Sequence, residues 1–176
     1  PIAPAKPFAI ANEGLWQVAQ TVSYSGGSAV ADVDRDGRCD LLLTFNTTIQ
    51  VYRSTGAGFV PGATIPAAGT SVQPFLATDL DRDGWVDIVS ASGRVTYGVD
   101  GSNWIAGPQL PNSLQGTEVA TGDFDGDGQA DVAIVGNTNA LVFRGLGNRT
   151  FAPPTTLATS NTFQHWLLVA DLDGDG

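Results

Sequence analysis

The chain has 176 residues with 18 acidic and 8 basic side chains, a formal charge of -10 and a single cysteine. That length suits one ordinary domain, so few dispersed basic residues argue against nucleic acid as a partner, and a lone Cys39 cannot close an internal disulfide. With no methionine, no signal-peptide pattern and no apolar run long enough to span a membrane, the chain reads as a mature or excised piece.

Residues 1–7 carry three prolines and read as a linker or lead-in segment. From Phe8 to Trp16 the chain shows a strand, a Gly turn and an aromatic, a pattern repeated at 49–59, 95–104 and 141–151. Residues 8–27 are therefore expected to be the last two strands, C and D, of a four-stranded unit. A first full set follows, with strands at 28–33, 39–45, 48–54 and 59–65. The second runs 75–80, 86–91, 94–99 and 104–110, and the third 118–124, 130–135, 140–144 and 151–157. Repeats thus begin near 28, 74 and 117, and an incomplete last strand lies in 166–176. Turn residues separate the strands and no stretch holds a helical period, so helix should be nearly absent. The second strand of each set is almost continuously apolar, as expected for a strand buried on both faces.

Between strands A and B one loop recurs. It reads Asp32, Asp34, Asp36, Gly37, Arg38, Asp40; then Asp79, Asp81, Asp83, Gly84, Trp85, Asp87; then Asp123, Asp125, Asp127, Gly128, Gln129, Asp131. A fourth copy has Asp171, Asp173 and Asp175, and the sequence stops at Gly176. The first Asp of each falls 47, 44 and 48 residues after the previous one, the length of a four-stranded propeller blade. Fifteen of the eighteen acids lie in these loops, so the acidity is local rather than that of a disordered tail. Carboxylates at positions 1, 3 and 5 of a tight loop converge on one point, which favours a cation there, and an all-oxygen set suits Ca2+. The glycine at position 6 makes the bend, and the carbonyl of position 7 (Arg38, Trp85, Gln129) with the Asp at position 9 can close the cage. An EF-hand would need a bidentate Glu at position 12 and flanking helices. Position 12 is Leu43, Ser90 and Ile134, and strands follow, so the EF-hand is excluded. The plain alternative is a set of metal-free Asp-Gly turns. Three filled sites would bring the charge to about -4.

The loops with their flanks, VADVDRDGRCDLLL from Val30 and VATGDFDGDGQADVAIV from Val119, closely resemble the FG-GAP/VCBS repeat family. That family comprises β-propellers, including the integrin α-subunit head, calcium-bearing lectins and accessory regions of secreted hydrolases. The resemblance implies an all-β propeller of four-stranded antiparallel blades over 8–176, with calcium loops joining strands A and B. Three full sets with partial neighbours are expected to be part of a roughly seven-bladed ring, completed by further chain or by self-association.

Function is then expected to be binding or adhesion, extracellular, cell-surface or periplasmic, with carbohydrate or a protein as ligand. The expected surface is opposite the calcium loops, where the D–A segments 21–27, 66–74, 111–117 and 158–165 differ most. Candidates there are Tyr24, Gln73, Gln115, Glu118, Asn161, Gln164, His165 and Trp166, each of which is also an ordinary loop residue. The alternatives are an accessory or catalytic part of a secreted hydrolase or lyase, or a structural spacer. No Gly-x-Ser-x-Gly, His/Cys cluster or Ser-His-Asp set is present, and a glycosidase pair would have to come from Glu13, Asp100 and Glu118. No catalytic role is expected. Trp16, Phe59, Trp104 and Phe151 share one repeat position and are expected to pack between blades. Trp85 hints at a contact surface. Cys39 reads as a small buried residue entering a strand. Asn46 and Asn148 head glycosylation acceptor triplets if the protein is eukaryotic and secreted.

Overall fold

A computed structural model describes residues 8–12, 15–20, 26–66, 74–111, 116–136, 139–158, 167 and 169–170. The described residues form fourteen strands and no helix. β1 (Phe8–Asn12) and β2 (Leu15–Gln20) pair antiparallel. Three four-stranded antiparallel sheets follow, each in simple sequential order. Blade one is β3 (Ser28–Ala31), β4 (Asp40–Phe45), β5 (Thr48–Ser54) and β6 (Phe59–Pro66). Blade two is β7 (Phe75–Thr78), β8 (Asp87–Ser90), β9 (Arg94–Gly98) and β10 (Trp104–Gln109). Blade three is β11 (Glu118–Gly122), β12 (Asp131–Val135), β13 (Asn139–Phe143) and β14 (Thr155–Ala158). This is an all-β, blade-built propeller architecture.

The core lies between blades, because period-2 alternation sends successive side chains of one sheet to opposite neighbours. In β8, Ile88 joins Val33, Leu42, Ile49, Val51, Ile65 and Phe75 in the layer between blades one and two. The next residue, Val89, joins Val95, Tyr97, Val132, Ile134, Leu141 and Phe143 between blades two and three. That two-sided burial explains why β8 and β12 are buried along their whole length. Each fully buried Val, Leu or Ile contributes about 1.5–3 kcal/mol of transfer free energy. The innermost strand β7 touches both β3 and β11, which sets the three blades side by side.

Two of the four aromatics at the shared position follow the same logic. Trp104 packs on the first layer and Phe151 on the second, and Trp104 Nε1 donates to the Val86 carbonyl at 3.3 Å. Strand A stops at Ala31, Thr78 and Gly122, directly before the first Asp of each loop and two residues short of the expected ends. The last D strand starts at Thr155 rather than at 151. Pro153 and Pro154 have no N–H to give to a ladder, and Phe151 keeps only an isolated bridge to Gly145. Cys39 is exposed rather than buried, because position 8 still belongs to the loop and β4 begins at Asp40. The fourth loop with Asp171, Asp173 and Asp175, residues 1–7, Glu13, and Tyr24, Gln73, Gln115, Asn161, Gln164, His165 and Trp166 lie outside the described residues.

Candidate metal centres

Each A–B loop is folded by its own carboxylates. The Asp at position 1 accepts the N–H of the position-6 glycine in all three described copies: Gly37 to Asp32 at 2.8 Å, Gly84 to Asp79 at 2.9 Å and Gly128 to Asp123 at 2.8 Å. These glycines sit at φ +84°, +86° and +86°, a left-handed bend that a Cβ would strain. The Asp at position 5 accepts the N–H of position 7, from Arg38 at 2.9 Å, Trp85 at 2.8 Å and Gln129 at 2.8 Å. The chain therefore wraps the carboxylates inward before any ion is considered.

Position 9 does something different. Asp40, Asp87 and Asp131 are fully buried at 0% exposure. One oxygen accepts the N–H of loop position 2: Val33 at 3.1 Å, Leu80 at 2.8 Å, Phe124 at 2.9 Å. The other accepts an N–H at or just past the end of strand C: Ser54 at 2.8 Å, Gly98 at 2.8 Å, Gly145 at 2.7 Å. The position-9 carboxylate thus ties the start of its loop to the third strand of its blade. Burial pushes the Asp87 carboxyl up to about 6, against the pull of the Gly98 and Leu80 N–H groups. Tyr97, beneath the same loop, is pushed up to about 12 by burial.

Oxygen atoms within 4.8 Å of one another come from Asp32, Asp34 and Asp36 in loop one and from Asp123, Asp125 and Asp127 in loop three. In loop two the set is Asp79, Asp81 and Asp87, with Asp83 outside it. Asp40 and Asp131 stand outside their clusters, held by the backbone N–H groups above. Whether these sets fit a hard divalent cation is answered by the atoms themselves. All donors are carboxylate oxygens, the type Ca2+ prefers. In loop one, Asp34 Oδ1 is buried with no hydrogen-bond partner, an arrangement that costs free energy unless a cation faces it. The residues fit.

Arginines crowd these loops, and their placement was not legible beforehand. Arg38 pairs with Asp36 in its own loop, and Arg144 pairs with Asp125 and Asp127 of its own blade. Others cross blade boundaries. Arg35 of loop one donates to the carbonyls of Gly84 at 2.7 Å and Asp83 at 2.8 Å, and lies 3.7 Å from the Trp85 ring centroid. Arg53, 3.5 Å from Asp34, donates to Gly101 O at 2.9 Å and Ser102 Oγ at 2.7 Å in blade two. Arg149 of blade three reaches Asp81 and Asp83 of loop two and stacks 4.6 Å from the Tyr97 ring centroid. Trp85 is accordingly half-buried beneath an arginine. The one signal in sequence was position 4, where Arg35 and Arg82 take φ +60° and +62° and the third copy has Gly126 at +74°. A bulky residue in that conformation calls for a reason. For Arg35 the reason is its reach to loop two.

Charge divides the blades into two ends. Among the described residues, only Arg94 and Glu118 carry charge near the B–C and D–A end. That end presents Phe45, 52% exposed, with Asn46, Thr47, Ser92 and Gln109 around the turns. Asp100 lies in a C–D turn at the loop end, where hydrogen bonds from Asn103 and Ser102 hold its carboxyl below the ordinary range. Asp100 and Glu118 therefore stand at opposite ends of the blades.

A profile of the FG-GAP-like repeat matches residues 32–90 and 123–176. Among solved structures, the chain is similar to the Photorhabdus luminescens Tc holotoxin pore, at 24% identity and a TM-score of 0.49. That likeness covers 78% of this chain and 7% of the other, so the chain spans a small part of that protein's length. No curated protein matches.

Proposed function

The chain belongs to the FG-GAP-like repeat family, and on that footing we propose that it is a calcium-stabilised, non-catalytic binding module of an extracellular or cell-surface protein. The observation that carries this reading is the threefold carboxylate cluster at one register, with the buried Asp34 Oδ1 left without a partner. Calcium, when bound, supplies the positive charge that such clusters lack. The chain's own part is to hold the oxygens ready. Position 1 closes the loop on its glycine, position 5 orients position 7, and position 9 fixes the loop to strand C. An ion held by these residues would neutralise the cluster and fix the A–B corner of its blade. Millimolar calcium outside cells suits an extracellular setting. No helix among the described residues is long and apolar enough to cross a membrane.

The ligand surface we assign is the end opposite the loops. Its near absence of charge, with Phe45 exposed among Asn46, Thr47, Ser92 and Gln109, supports an uncharged polar ligand, carbohydrate before protein. The separation of Asp100 from Glu118 supports the non-catalytic reading, since a glycosidase needs two carboxyl groups flanking one bond. Calcium titration by calorimetry, with melts in calcium and in chelator, tests the first half. Binding of three or more ions and a melt that collapses on chelation are expected; no heat and an unchanged melt would refute it. A glycan array tests the second half. Saturable binding lost in Phe45→Ala is expected, and turnover of a polysaccharide would overturn the non-catalytic assignment.

A further inference from the structure

Loop two differs from its siblings in who holds its carboxylates. In loops one and three the clustered oxygens come from positions 1, 3 and 5, and the arginine on position 5 (Arg38, or Arg144, which also pairs with Asp125) belongs to the same blade. In loop two Asp83 has left the cluster and Asp87 takes its place. Asp83 Oδ2 lies instead 3.2 Å from Arg149 Nη2, and Arg149 Nε also donates to Asp81 Oδ2. Arg149 comes from the C–D turn of blade three, 66 residues along the chain from Asp83. Its backbone is held at φ +63°, after Gly147 at +71° and Asn148 at +50°, a run of left-handed residues that aims the side chain back across the boundary. The guanidinium contacts these carboxylates and lies over the Tyr97 ring, lining a small cleft together with Leu80, Gln129 and Phe151.

We propose that Arg149 is the resident cation of loop two, a residue that sets the affinity of the second metal site and couples its filling to the boundary between blades two and three. Without metal the guanidinium neutralises Asp81 and Asp83 and joins the two blades. A divalent ion at loop two must draw Asp83 back, and so competes with the guanidinium for both carboxylates. Loop two is then the site where this competition crosses a blade boundary, and its filling loosens one inter-blade tie while the ion fixes the loop. This rests on the calcium reading of the loops.

The test compares wild type, Arg149→Gln and Arg82→Gln in calcium chloride titrations and in melts with chelator or saturating calcium. Arg82 carries the same charge on the same loop but points toward Gly128 of loop three, so it controls for charge alone. Arg149→Gln is expected to melt lower than wild type in chelator and alike in saturating calcium. Its loop-two calcium site should tighten roughly fivefold, the weight of one good partly exposed ion pair, against less than twofold for Arg82→Gln. An equal loss in both conditions with unchanged affinities would make Arg149 a packing residue and overturn the competition while leaving the calcium reading intact. No calcium binding by the wild type would overturn both. Should Arg149→Gln not fold, Arg149→Lys keeps the charge without the forked geometry and is judged by the same two readouts.

Discussion

Replacing Asp131 by Ala separates a scaffold carboxylate from a metal-facing one. Asp131 is fully buried, and its two oxygens accept the N–H groups of Phe124 at 2.9 Å and Gly145 at 2.7 Å. Truncation leaves both donors without an acceptor. Hydrogen bonds to a charged acceptor contribute about 1.5–3 kcal/mol each, so the loss is about 3–6 kcal/mol. For a chain of this size each kcal/mol moves Tm by about 2–4 °C, which gives a fall of roughly 6–24 °C. The fall should be present in chelator, because the tie it breaks is between backbone segments. Asp127→Asn is the counterpart. Its Oδ1 keeps an acceptor for the Gln129 N–H, and the lost ion pair to Arg144 is half exposed, so in chelator the cost is within about 1 kcal/mol. Its effect should emerge in calcium, as a site lost from the titration and a smaller calcium-induced rise in Tm. Circular dichroism melts of both variants in the two conditions decide the matter. If Asp131→Ala melted like wild type in chelator and fell only in calcium, position 9 would be a metal ligand alone, and the scaffold argument would fail.

Glycine substitutions probe the arginine that joins blades one and two. Gly37→Ala meets open space at φ +84° and should cost only strain, about 1 kcal/mol. Gly84→Ala has the same strain at φ +86° but puts its Cβ 2.2 Å from Arg35 Nη2, so it must also expel Arg35 from loop two. The excess should be about 1 kcal/mol and should vanish in an Arg35→Ala background, as urea midpoints of the double-mutant cycle would show. The buried Asp87 gives a pH dependence in chelator. Its carboxyl lies at about 6 folded against an ordinary 3.8, so its contribution is fully present below pH 4 and is lost as pH rises through 6. Relative to Asp87→Asn, wild type should gain up to about 3 kcal/mol between pH 7.5 and 4.5, and parallel stability curves would refute that origin.

The fold was legible because each blade repeats its instructions. The alternation Ile88, Val89 and the continuous apolar runs of β4 and β12 require sheets covered on both faces, and the 47- and 44-residue spacings say how often the pattern restarts. The loop carboxylates were legible as a convergent oxygen set for the same reason. Strand ends were less so, since β propensity at Val33 and Leu80 does not reveal that the buried position-9 Asp draws their N–H groups into the loop. The two prolines that delay β14 were visible, but not the single bridge that Phe151 keeps with Gly145.

The partners of the inter-blade arginines were not legible, and the reason is physical. A guanidinium on a long flexible stem can reach carboxylates anywhere within several ångströms, so sequence spacing does not specify its partner. Arg149 and Asp83 become neighbours only once two blades are stacked, and the like-charge cost of the Asp loop is then shared between blades rather than kept within one. Clustered carboxylates demand counter-charge, whereas the fold decides whether it comes from solution or from the next blade. Loops one and three draw their arginine from within the blade; loop two draws it from across the boundary. A repeat that looks threefold in sequence is therefore not threefold in its counter-charge, and under the proposal above loop two is where filling a metal site and holding two blades together become one equilibrium.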